Sequence, residues 1–301
     1  MCAVVIVFNP GRSLVDRLMA ISEQVDQIIL VDNGSSPETL AVLRQASQSR
    51  RIALIENLEN VGVAAALNQG IRKAQDEEFE WVLTLDQDSE PSLGMVEELL
   101  AAYEAQAEPE RIAIIAPQVI DAEIGRRAPF LRKRFGPFYR RDRCDNSTLE
   151  DVTTVITSGA LVRLSVIEAI GGFREDFFID YVDTEFCLRA LSHGYRIAVA
   201  CRAELKHRLG DRRKLGLGLF SLYPTFHSPV RWYSISRNRV PMLRAYSLRF
   251  PHWLTYELVA AVFTFLRMLL TEDQKGAKLS AVVRGTWDGL RGRMGRPAGT
   301  I

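Results

Sequence analysis

Asp86 and Asp88 stand one residue apart in Asp86-Gln87-Asp88, and two carboxylates that close repel unless something neutralises them. A hard divalent cation such as Mg²⁺ or Mn²⁺ does so, taking their oxygens and leaving positions open for diphosphate oxygens. The triplet by itself is common in proteins; its position is more telling. It begins at the end of the apolar run Trp81–Asp86 (WVLTLD), and Asp32 ends an earlier run, Gln27–Asp32 (QIILVD). In open α/β sheets the C-terminal strand edge is where ligands bind. Read alone, Asp32-Asn33-Gly34-Ser35 is equally a turn leading into a helix, since all four residues favour turns.

Further along, Asp180 and Asp183 lie one helical turn apart, with Glu185 two residues on. Acids at a helix start are favourable partners of the helix dipole. They are also the right groups for a general base that removes a proton from an acceptor hydroxyl. His207 is one of four histidines and follows a strand-like segment, so it is either structural or within reach of a metal or diphosphate.

The elements that must position these groups alternate in type. Ala3–Phe8, Gln27–Asp32, Arg51–Glu56, Trp81–Asp86 and Ile112–Ala116 are continuous apolar runs, as expected of strands covered on both faces. Ser36-Pro37-Glu38 opens a helix with a cap, a first-turn proline and an acid, and Leu67, Ile71 and Ala74 mark a second helix over Val63 to Gln75. Strand and helix alternating at this spacing predict a parallel sheet with right-handed crossovers. Thr154–Val162 and Tyr195–Ala200 read as later strands, with a helix near 183–193 between them. Residues 121–150 are basic and aromatic, either a solvated loop or a mobile one flanking a site for an anion.

With 301 residues and 47% hydrophobic composition the chain can bury a substantial core, and a net charge of +1 gives no electrostatic reason to expect nucleic acid. Cys2, Cys144, Cys187 and Cys201 have no metal-ligand spacing and read as reduced cytoplasmic thiols. The run Ala3–Phe8 has neither a basic lead nor a small-residue cleavage site, so no signal peptide is expected.

In this order VFNP, ILVDNGS, ENVGVAAALNQGI, LDQDSEP, TSGALV, GGF, the acidic cluster ending in CLRA and the later histidine resemble glycosyltransferase family 2, over residues 3–210. LDQDS, FIDYVDTEFCLRA, HRLG and WDGLRGR look like its bacterial rhamnosyltransferase branch. The resemblance implies a GT-A fold: α/β, with a Rossmann-like mixed, mainly parallel sheet flanked by helices. It further implies an inverting transfer of L-rhamnose from dTDP-L-rhamnose to a hydroxyl of a cell-surface polysaccharide precursor or glycolipid, with a divalent metal. Carried over by motif, Asp32 contacts the nucleobase or ribose beside Phe8 and Asn9, while Asn60, Gly62 and Asn68 shape the nucleotide wall. Asp88 is the main metal ligand, Asp86 lies near the ribose and metal, Gln87 contacts the nucleotide-sugar donor, and His207 reaches the metal or diphosphate. Asp183 falls on the catalytic base; because Val182 stands where the family more often has Glu, Asp180 remains the second choice.

Other readings keep the fold and change the donor, to UDP-galactose or UDP-N-acetylglucosamine. A sugar nucleotidyltransferase would want a Gly-rich first loop, where this chain has Phe8-Asn9-Pro10-Gly11-Arg12. A non-catalytic nucleotide-sugar binder would not need every acid. The expected organisation is a catalytic domain over 1–210, its nucleotide-sugar half about 1–120 and its acceptor half about 121–210, followed by a helical extension over 211–301. In that extension Trp253–Leu270 is apolar but holds Glu257 and Arg267, so a comfortable membrane span is not expected. From residue 274 six basic residues face Asp288 alone. That pattern fits docking at the inner face of the cytoplasmic membrane, or equally a helix packed on the catalytic domain or in a homodimer.

Overall fold

The computed structural model describes residues 1–297 except 12, 209, 213–214, 218–219 and 223–224. The chain opens on β1 (Cys2–Val7) and crosses through α1 (Leu14–Ser22) to β2 (Gln27–Asp32), through α2 (Pro37–Ala46) to β3 (Ile52–Glu56) and through α3 (Val63–Asp76) to β4 (Trp81–Asp86). A short β5 (Glu90–Pro91), α4 (Met95–Glu104) and the long β6 (Ile112–Asp121) follow. Then come β7 (Phe130–Phe135), β8 (Phe138–Asp142), β9 (Thr148–Leu149), β10 (Val152–Thr154) and β11 (Ala160–Arg163). α5 (Leu164–Ile170) and α6 (Val182–Ser192) lead into β12 (Arg196–His207).

The main sheet runs β3-β2-β1-β4-β11-β6-β12-β5, with β9 beside β12. β1 to β4 are parallel, as the alternation of strand and helix predicts; β11 enters antiparallel between β4 and β6 and makes the sheet mixed. Side-chain alternation along β1 explains the three layers. Cys2, Val4 and Ile6 join one core with α3 and α6, whereas Ala3, Val5 and Val7 join the other with α1 and α4. Each fully buried Val or Ile of this kind contributes roughly 1.5–3 kcal/mol. Register then fixes the site edge: Val7 pairs with Asp32 and Ile6 with Asp86, so both aspartates finish at the same end of the sheet.

Three expectations change. Thr154–Val162 is not one strand: β10 and β11 are separated by a break over 155–159, whose Ile156, Thr157 and Ser158 line the central cleft. The basic stretch in 121–150 is ordered as the β7–β8 hairpin, with β10 as its third strand. Cys144 and Cys201, 57 residues apart, form a disulfide, so only Cys2 and Cys187 are free thiols, both buried. Disulfides are scarce in reducing compartments, and the cysteine argument for a cytoplasmic protein is withdrawn.

The extension is built of α7 (Pro229–Tyr246), α8 (Pro251–Thr271) and α9 (Lys275–Leu290). α7 and α9 cross closely because Gly285 has no side chain: a Cβ there would stand 2.3 Å from the Tyr233 carbonyl oxygen. α8 is, by length and composition, long and apolar enough to cross a membrane, contrary to the expectation from its two charges. One face nevertheless packs inward through Trp253, Glu257 and Met268.

Candidate active site

Asp86 closes β4, Asp88 follows in the tight turn, and His207 closes β12 on the far side of β11 and β6. Their ligand atoms lie within 4.8 Å of one another. His207 Nε2 is 3.7 Å from Asp86 and Nδ1 is 3.2 Å from Asp88. Nδ1 is buried but makes no aligned hydrogen bond, as suits a nitrogen that ligates. Burial opposes protonation of His207, but Asp88 and Asp86 outweigh it and hold its pKa above the ordinary value. Burial likewise opposes ionisation of Asp88, and pairing with His207 overcomes it, leaving the carboxyl below its ordinary value. Two carboxylates and an imidazole at this spacing fit one divalent cation with open positions. Ser158, from the break before β11, donates a short hydrogen bond to Asp86 and fixes it.

These groups open into a cavity of about 780 Å³ that Asp183 also lines. Asp183 sits in the first turn of α6, where its Oδ1 accepts from the Thr184 backbone N–H at 2.7 Å. Burial pushes its pKa up, against that hydrogen bond, and nearby Asp180 adds to the rise. Asp180 is spent differently, accepting from the Arg231 guanidinium at 3.1 Å. The backbone leading into α6 is strained, with left-handed φ at Phe178, Asp180 and Tyr181. α7 holds it there: Asn238 Nδ2 donates to the carbonyls of Phe177, Ile179 and Asp180 at 2.9–3.0 Å, and Arg237 to that of Phe177 at 3.0 Å.

On the opposite wall Phe8, Asn60, Gly62 and Gln87 line the cavity. Gln87 Oε1 accepts from Phe8 N–H at 2.8 Å, tying the turn after β4 to the end of β1. Gly62, at φ +92°, has no room for a side chain, since a Cβ would lie 2.7 Å from the Phe178 ring. Asp32 is fully buried just behind this wall, with Oδ2 bonded to Ser35 N–H and Oδ1 without a partner. Asn9 caps the neighbouring turn, its Oδ1 accepting from Ser36 N–H, and does not line the cavity. Asn68 is turned away altogether: it accepts from Phe173 N–H and donates to the Phe173 carbonyl and Glu175, holding the Gly171-Gly172-Phe173 segment in place. Its place is structural, because every polar atom of the amide is consumed there.

Sequence reasoning missed several lining residues. Asn33, next to the expected Asp32, orders the wall by donating to Asn60 Oδ1 at 3.1 Å and accepting from Val61 N–H at 2.9 Å. Arg208, His227, Arg231 and Arg267 line another side of the same cavity, three of them from beyond residue 210, with the guanidiniums paired to Glu123, Asp180 and Glu272. Burial, with help from Arg231 and Arg267, lowers the His227 pKa to about 4, so it is neutral at pH 7. Guanidiniums beside a paired-carboxylate metal site suit a diphosphate. The TSG motif was a signal for Ser158, and nothing local in the sequence pointed to α8.

A mixed, mainly parallel sheet thus brings a carboxylate–imidazole cluster that could hold a divalent cation and the half-buried Asp183 carboxylate to one cleft. The model of "Glycosyl transferase family 2" matches residues 2–171, and the chain belongs to that family. It is 27% identical to dTDP-rhamnosyl transferase RfbF of Shigella flexneri, over 97% of this chain and 96% of the relative. It is 25% identical to the low-salt glycan biosynthesis hexosyltransferase Agl10 of Haloferax volcanii, over 95% of this chain and 88% of that one. The fold is GT-A: the structure of GalNAc-T7 with UDP, GalNAc and Mn²⁺ superposes with a TM-score of 0.59 at 14% identity, covering 81% of this chain. The chain spans about half of that protein, 47%.

Proposed function

We propose that the chain transfers L-rhamnose from dTDP-L-rhamnose to a hydroxyl of a glycan or glycolipid precursor, with inversion at the anomeric carbon. The observation that carries this is the shared cavity: Asp86, Asp88 and His207 open into the same space as Asp183. In this reading Asn60, Gly62 and Phe8 bound the nucleoside, and Asp32 supports that wall from behind by accepting from Ser35 N–H. Arg208, Arg231 and Arg267 face the diphosphate. Asp183 takes the proton of the acceptor hydroxyl as that oxygen bonds to the anomeric carbon; the carbon–phosphate oxygen bond breaks and dTDP leaves from the opposite side. Asp88, Asp86 and His207 would hold Mg²⁺ or Mn²⁺, whose charge would offset the negative charge gathering on that diphosphate.

Asp183 is chosen over Asp180 because Asp180 already neutralises Arg231, whereas Asp183 lines both the main cleft and the smaller cavity beside it and accepts hydrogen bonds from Thr184 rather than from a cation. The donor half is 1–120 and the acceptor half 121–210, with α7 and α8 completing the cleft from the extension. A cytoplasmic site of action rests on where nucleotide-sugars are made, not on the cysteines.

Rhamnose as the sugar is supported by the relative in Shigella flexneri, whose similarity runs the length of both chains. Competition binding with Mn²⁺ tests it. dTDP-L-rhamnose should displace a labelled nucleotide at least about tenfold more effectively than UDP-galactose or UDP-N-acetylglucosamine, the discrimination roughly 1.4 kcal/mol supplies. Preference for a UDP-sugar would overturn the donor assignment and keep the family.

A further inference from the structure

Two surfaces take no part in the reaction above, and the fold brings them together. The first is the tip of the β7–β8 hairpin, where Phe135 and Phe138 are 61% and 53% exposed with rings 4.9 Å apart. They sit in the most basic stretch of the chain: between 126 and 143 there are eight Lys or Arg against the single Asp142. The second is α8, where Leu258, Val259, Val262, Phe263, Leu266 and Leu270 are all exposed. At roughly 100° per residue these six fall within an arc of about 140° on one side of the helix. Tyr139 of the hairpin packs edge-on against Tyr256 of α8 at 5.4 Å, so tip and helix are fastened as one body.

We propose that this hairpin and the outer face of α8 form a docking surface for an anionic phospholipid bilayer, on which the protein lies without spanning it. Paired phenylalanines flanked by cations, beside an apolar helical stripe, match the headgroup–acyl boundary of such a surface. Spanning is opposed by the inner face of α8. There Glu257 is buried against Tyr181 and Arg239, and Trp253 and Met268 are fully buried in protein. A second copy of the chain is a poorer occupant, because a two-fold interface centred here would bring the basic hairpins together.

The surface also leads to the site. Arg141 and Tyr256, one from each element, line a smaller cavity of about 170 Å³ that reaches Asp183. Delivery of a lipid-anchored acceptor hydroxyl along that seam rests on the transferase reading; the docking itself does not.

Flotation of the full chain with vesicles separates the outcomes. Vesicles of phosphatidylcholine with phosphatidylglycerol should carry the protein upward about tenfold better than phosphatidylcholine alone, and the advantage should fade between about 0.1 M and 1 M salt. Phe135→Ser with Phe138→Ser, and separately Val262→Ser with Phe263→Ser, should each reduce flotation by about tenfold. Binding of dTDP with Mn²⁺ serves as the folding control and should stay within about twofold, since neither pair touches the cleft. Equal recovery in the soluble fraction with and without anionic vesicles would overturn the proposal. So would a dimer in light scattering that these substitutions dissolve, which would assign the face to a second copy. Flotation without any nucleotide binding would leave the docking standing and remove the transferase reading instead.

Discussion

The two walls of the cleft are built by different means. The donor-side wall hangs on parallel strand ends: β1, β2 and β4 stop in register, and Phe8, Asp32 and Asp86 follow from where they stop. The wall carrying Asp183 has no such scaffold. It is a strained turn into α6, held by Arg237 and Asn238 of α7, about 60 residues further along the chain. A sheet edge positions groups through hydrogen bonds it needs anyway, so its geometry is robust. A strained turn keeps its shape only while its distant clamps hold.

That contrast can be broken most severely at the metal corner. Asp88→Ala removes a proposed ligand from a cluster whose other members close β4 and β12. Turnover should fall by about 10³-fold, and Mn²⁺ binding followed by calorimetry should weaken by about 100-fold, with the melting temperature little changed. Chelation of the wild-type protein should abolish turnover and be reversed by added Mn²⁺ or Mg²⁺. Activity that survives both treatments would separate the carboxylate pair from metal binding.

Asn238→Ala probes the other wall. Losing its three hydrogen bonds to strained carbonyls should cost about 1–3 kcal/mol in a denaturant melt. It should also lower kcat about tenfold while weakening nucleotide binding less, because of the proposed donor contacts only Arg231 lies on α7. Equal losses in kcat and donor affinity would show that the walls are not independent.

Smaller effects follow from protonation. The Asp183 pKa is raised by burial, so the acid limb of kcat/KM should lie above the ordinary carboxylate value of 3.8, with the rate falling as the base gains its proton. The same shift has a sign for stability. A carboxyl with a raised folded pKa contributes stability below its unfolded pKa, and this is lost as pH rises through the folded value. At pH 7 the ionised Asp183 therefore costs stability, and Asp183→Asn should melt a few degrees higher than the wild type, a difference that should vanish at low pH.

How much of this was legible in the sequence divides along the same line. Asp32, Asp86 and Asp88 could be placed because apolar runs ending in acids reveal both strand and edge. His207 followed from the same logic. The choice between Asp183 and Asp180 could not be made locally, since it depends on Arg231, which lies 51 residues beyond Asp180 and pairs with it. Asn68 was carried over by motif as a wall residue, but its partner segment lies 105 residues downstream and draws the amide inward. The Cys144–Cys201 pairing left no spacing to read, and α8 gave no sign that Arg267 would return to the cleft. Strand ends are short-range facts; clamps, disulfides and returning helices are not.

The central claim is that Asp183 is the base across the cleft from a metal-held donor. Asp183→Asn, measured for donor binding with Mn²⁺ and for single-turnover transfer, tests it most directly. The account predicts a nucleotide-sugar Kd within about twofold of wild type and a transfer rate lower by about 10²–10⁴-fold. Transfer at the wild-type rate, with the protein folded and the donor bound, would contradict it.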